Sequence, residues 1–81
     1  MDKKLSEAIY NKNKGEIIRL VSEGIDEYIS VREAEFVTGW SNGTVRNAID
    51  NDEVIWRIGP RGRRGVKQVL LSSLMKFIKP K

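Results

Sequence analysis

Apolar positions recur along this chain with two different periods. Near the start, Leu5, Ala8 and Ile9 make one short stripe at helical spacing, and Ile18, Val21 and Ile25 make another, with the polar run NKNKG at residues 11–15 between them. One or two helices are predicted there, ending near Gly24, a residue suited to a C-cap. Residues 30–49, SVREAEFVTGWSNGTVRNAI, read as two short helices joined by a glycine turn. After the polar DNDE turn at residues 50–53 the period changes: Val54, Trp56 and Ile58 alternate with Ile55 and Arg57 as a strand does. The glycine-rich loop GPRGRRG at residues 59–65 leads to a return strand over residues 66–71, which closes a β-hairpin. Ser72 is placed to cap a last short helix in which Leu74, Phe77 and Ile78 share a face, and Pro80 ends the regular structure.

The helix pair carries the clearest local signals. Ser30 and Glu33 have the S-x-x-E spacing of a capping box, so a helix starts at Val31, with Tyr28 and Ile29 leading in as a hydrophobic staple. Phe36 and Val37 are adjacent and cannot both face inward fully. Gly39 supplies the positive φ needed to leave this helix, and Ser41 offers an N-cap to the next. In the second helix Val45, Ala48 and Ile49 fall on one buried face, which leaves Asn42, Gly43, Arg46 and Asn47 pointing outward. Trp40 between the helices and Trp56 under the hairpin are expected in the core.

The run Gly39-Trp40-Ser41-Asn42-Gly43-Thr44-Val45 resembles the G-(apolar)-S-x-x-T-(apolar) core of the helix-turn-helix in phage excisionases and MerR-type regulators. Downstream, Trp56-Arg57-Ile58-Gly59 resembles the wing strand of such domains, and Leu71-Ser72-Ser73-Leu74 resembles their closing strand-to-helix junction, so the likeness covers residues 29–78. It implies a mainly α fold with a small β-hairpin: a winged helix-turn-helix over residues 28–81, preceded by an N-terminal helical extension over residues 1–27. It also implies sequence-specific binding of double-stranded DNA in phage or mobile-element recombination. Several copies would occupy neighbouring sites, bend the DNA and bias an integrase towards excision. A small MerR-like transcription regulator, a DNA-recognition subunit of a phage packaging machine and a protein-interaction module with a basic wing are the alternatives.

Composition narrows the classes further. Eighty-one residues make one small domain with a single modest core. Absence of cysteine and histidine excludes disulfides, thiol nucleophiles and the usual zinc ligands. No apolar run reaches the length of a membrane span and no signal peptide is visible, which predicts an intracellular, cytoplasmic protein. The net charge is +4, but residues 1–53 hold all 11 acids against 7 Lys and Arg, while residues 54–81 hold 8 Lys and Arg and no acid. A charge run alone is most often a solvated surface. Next to a helix-turn-helix pattern it reads as the polyanion-seeking end.

The candidate DNA-binding set is therefore Ser41, Asn42, Gly43, Thr44, Arg46, Asn47, Arg57, Arg61, Arg63, Arg64 and Lys67. Asparagine pairs bidentately with adenine, and arginine with guanine or a phosphate, so Asn42, Arg46 and Asn47 suit base readout in a major groove. Gly43 either admits a close phosphate or is merely a weak first-turn residue, and Thr44 either donates to a phosphate or bonds back to the preceding turn. Arg61, Arg63 and Arg64 would grip phosphates or enter a narrow minor groove, with Arg57 and Lys67 flanking the loop. No P-loop Lys-Ser/Thr follows RGRRG, and Asp50, Asp52 and Glu53 crowd one exposed turn rather than converging from distant segments. No catalysis and no cofactor are expected. The N-terminal segment is either a lid on the core or an arm for a partner.

Overall fold

The computed structural model describes residues 2–59 and 66–78. The chain begins with α1 (Lys3–Tyr10) and α2 (Lys14–Ser22), each started by a side-chain cap: Asp2 accepts from the Leu5 amide and Asn13 from the Glu16 amide. Those bonds satisfy amides that the first helical turn leaves without partners. The polar run between the helices turns the chain through Lys12 at a positive φ of 56°, and Gly24 leaves α2 at φ 98°. In α2 the fully buried positions are Ile17 and Leu20; the expected stripe of Ile18, Val21 and Ile25 is only partly buried. Residues 17, 18, 20 and 21 are all apolar, so two overlapping stripes exist in the sequence. Contact with α1 selects between them.

Two further helices follow, α3 (Val31–Thr38) and α4 (Asn42–Asp50), joined by a short turn. The expected capping box is present, with the Glu33 amide donating to Ser30 Oγ at 3.0 Å and the Ser30 amide donating to Glu33 Oε1 at 2.9 Å. Val37 is buried and Phe36 only partly so, as their adjacency requires.

The β structure is larger than a hairpin. Strand β2 (Trp56–Ile58) and strand β3 (Lys67–Leu70) pair antiparallel as expected, in the register Trp56↔Val69, Arg57↔Gln68 and Ile58↔Lys67. A further strand, β1 (Tyr28–Ser30), adds to the other edge of β3 through Tyr28↔Leu70, Ile29↔Val69 and Ser30↔Gln68. The three-stranded sheet thus has the order β1-β3-β2. The two residues expected to lead into α3 also tie its start to the sheet. Among the described residues the chain is mainly helical, with five α-helices and this one antiparallel sheet.

Helix α5 (Leu71–Leu74) leaves β3 without a break and passes into a 3₁₀ turn at Met75–Phe77. Its N-cap is Leu70, which forms no side-chain cap bond, and Ser72 lies inside the first turn rather than capping it. The Ser72 amide donates instead to the carboxylate of Asp26 at 2.9 Å, across 46 residues of sequence. A carboxylate at that end also suits the helix dipole. Ser73 holds β2 to the same junction, donating to the Leu70 carbonyl and accepting from the Ile55 amide.

One buried cluster joins the whole: Leu5, Ala8, Ile9, Ile17 and Leu20 from α1 and α2 pack with Ala34, Val37, Val45, Ala48 and Ile49 of the helix pair, and with Val69, Leu71 and Leu74. The tryptophans expected in the core sit at its rim. Trp40 lies against Phe77 at 4.9 Å between ring centroids, and the Trp56 indole N–H donates to Asp52 at 2.9 Å. An indole keeps a polar edge that needs a partner, and for Trp56 the rim supplies one. Ile58, two residues beyond the Trp56↔Val69 pair, is exposed although it alternates with buried Val54. Among the described residues no helix is long and apolar enough to cross a membrane.

Candidate nucleic-acid interface

The turn between α3 and α4 is fixed from both sides. Gly39 adopts the left-handed conformation at φ 77°. Thr38 donates its hydroxyl to the Ala34 carbonyl at 2.7 Å and accepts from the Trp40 amide at 3.1 Å. Ser41 then caps α4, accepting from the Thr44 amide at 3.2 Å, and the Thr44 hydroxyl lies 2.9 Å from Ser41 Oγ. Both hydroxyls of this candidate pair therefore serve the cap, which is the back-bonding alternative for Thr44.

Val45, Ala48 and Ile49 anchor α4 in the core, while Asn42, Gly43, Arg46 and Asn47 are exposed. Two of the outward residues are linked: Arg46 Nε donates to Asn42 Oδ1 at 2.9 Å, and Asn42 Nδ2 donates to Glu35 Oε2 of α3 at 3.2 Å. Asn47 makes no side-chain hydrogen bond among the described residues. A Cβ added to Gly43 would meet nothing nearer than Ser41 Oγ at 4.0 Å, so the backbone there is open to an approaching group.

The two residues expected to flank the wing loop face opposite ways. Alternate residues of a strand lie on opposite sides of a sheet. Val69 is buried, so Lys67 shares its side, whereas Gln68 and its cross-strand partner Arg57 take the other. Arg57 donates to Gln68 Oε1 at 3.0 Å and its guanidinium lies 4.0 Å from the centre of the Tyr28 ring. Lys67 reaches Asp50 at the end of α4 at 3.5 Å and lies over the Trp56 ring. Lys67 and Arg46 thus meet around one groove, and Arg57 lies away from it. Arg61, Arg63 and Arg64 lie outside the described residues.

That groove has a volume of about 800 Å³ and is lined by Ser30, Val31, Arg32, Glu35, Phe36, Asn42, Arg46, Val66 and Lys67. Arg32 is an addition to the candidate set. It is exposed on α3, without an ionic partner among the described residues, and the i, i+3 and i, i+4 spacing that sets it beside Glu35 and Phe36 was readable from the capped helix. Three cations and one carboxylate line a concave surface between a helix pair and a hairpin. Such a surface offers guanidinium forks and amides to phosphates and base edges. No group of three or more carboxylates among the described residues is placed to hold a metal ion. Compared with protein-family models, curated proteins and solved structures, the chain matches none of them.

Proposed function

We propose that this chain binds double-stranded DNA as a winged helix-turn-helix module, with α4 as the recognition helix and the β2–β3 hairpin as the wing. The observation that carries the reading is the outward face of α4. It is exposed, contains no apolar side chain, and consists of Asn42, Gly43, Arg46 and Asn47 behind a capped glycine turn. An α-helix with its side chains is about 10–12 Å across, and the major groove of B-DNA is about 12 Å wide. Charge supports the same reading, because the 8 Lys and Arg of residues 54–81 have no acid among them. Within this reading, the excisionase resemblance favours a directionality factor that several copies apply to neighbouring sites, acting with an integrase.

Fluorescence anisotropy on labelled duplexes tests the binding. If about five basic side chains meet phosphates, the slope of log affinity against log salt should be near −4 to −5. Absence of binding to any phage or genomic duplex at low salt would reject the proposal. The recombination role has its own test: added to an integrase reaction, the protein should raise excision relative to integration.

A further inference from the structure

Among the described residues, Glu35 is the only carboxylate lining the groove, where a negative charge would repel a polyanion. Its geometry gives it a task. The Asn42 amide lies between the Glu35 carboxylate and the Arg46 guanidinium, at 3.2 Å from one and 2.9 Å from the other. Between an acceptor-only acid and a donor-only cation, an amide fits one way round, with its NH₂ towards the acid and its oxygen towards the cation. Glu35 therefore orients Asn42, and Asn42 orients Arg46. With Nε engaged, Arg46 keeps its two terminal amino groups, the end of the fork that pairs with guanine O6 and N7. The relay begins on α3, whose Ala34 and Val37 are buried, so the orientation is referred to a fixed element rather than to α4 alone.

We propose that Glu35 is a positioning residue that sets base specificity: through Asn42 it holds Arg46 for end-on pairing with guanine, so that the protein selects a G·C pair at one position of its site. Its charge also weakens attachment to phosphates in general. This inference rests on the duplex-DNA reading above.

The test starts by selecting a preferred site with the wild-type protein from a pool of randomised duplexes. Wild type, Glu35→Ala and Glu35→Gln are then compared by anisotropy on that site, on copies with each G·C pair replaced by A·T, and on random duplex, with thermal melts to verify folding. Wild type should lose about tenfold or more at one G·C position. Glu35→Ala should reduce that discrimination to within about threefold while binding random duplex more tightly, since the relay and the charge are both gone. In Glu35→Gln the amide oxygen still accepts from Asn42, so discrimination should return while the tighter random binding persists. Full discrimination by folded Glu35→Ala would overturn the relay, and so would equal loss in both variants, which would assign the effect to charge alone. If folded wild type recovers no duplex from the pool, the DNA-binding reading itself fails and takes the relay with it.

Discussion

Two glycines around the turn make opposite demands. Gly39 sits at φ 77°, where an L side chain crowds its own carbonyl, so Gly39→Ala should cost about 1–2 kcal/mol. Gly43 lies within α4 with open space where a Cβ would stand, so nothing in the fold requires glycine there. Gly43→Ala should raise stability by about 0.5–1 kcal/mol, read from urea melts of the two proteins side by side. If the backbone at 43 approaches a phosphate, the same variant should bind DNA more weakly in spite of its added stability; unchanged affinity would reduce Gly43 to a weak helix residue. Asn47 tests base reading, being exposed and without a side-chain hydrogen bond among the described residues. Asn47→Ala should lose about 1–3 kcal/mol on a selected site and far less on random duplex, and equal losses on both would make it a backbone contact.

Elements here are held together by contacts of very different sequence range. Removal of residues 1–14 deletes Leu5, Ala8 and Ile9, which are 0%, 4% and 0% exposed. Truncating a single buried Leu or Ile costs about 2–5 kcal/mol, and a domain of this size has on the order of 5–10 kcal/mol in total. The truncated protein should therefore lose cooperative thermal melting, and a normal transition would make the segment an independent arm. Asp26 makes a smaller demand of the same kind: Asp26→Ala should lower stability by about 1 kcal/mol, as loss of an N-cap does, because no local side chain caps α5. These long-range ties mark the boundary of what the sequence discloses. The capping box of Ser30 and Glu33, the turn at Gly39, the cap at Ser41 and the buried face of α4 were all readable, because each depends on residues within four positions of one another. Strand β1 was not, since three residues pairing with a partner about 40 positions away show no period of their own. The Asp26–Ser72 bond and the choice of Ile17 and Leu20 over Ile18 and Val21 are hidden for the same reason. In the site, the types and outward direction of Asn42 and Arg46 were legible, but their link to Glu35 crosses the turn and depends on how two helices meet.

At the scale of the whole molecule, the proposed DNA binding and the folding core draw on different parts of the chain. The buried cluster contains no polar or charged side chain among the described residues, whereas the arginines at 61, 63 and 64 belong to a segment whose only apolar side chain is the ring of Pro60. Such a composition offers little apolar area to bury, and like charges close together in sequence favour an anionic ligand. Changing Arg61, Arg63 and Arg64 together to alanine should accordingly leave the melting temperature nearly unchanged. Affinity for duplex DNA should fall, and the salt slope should shrink by up to about 0.9 for each phosphate that is no longer neutralised. A second signature separates two ways in which the wing can act. If its arginines enter a narrow minor groove, the triple variant should also lose preference for sites flanked by A-tracts, whereas attachment to the phosphate backbone alone would leave that preference intact. The Arg46 fork and its relay to Glu35 should continue to select the same base pair in this variant, because they stand on α3 and α4 rather than on the hairpin. A triple variant that melts normally and binds with the wild-type affinity and salt dependence would remove the loop arginines from the mechanism and leave α4, Arg32 and Lys67 to account for the binding.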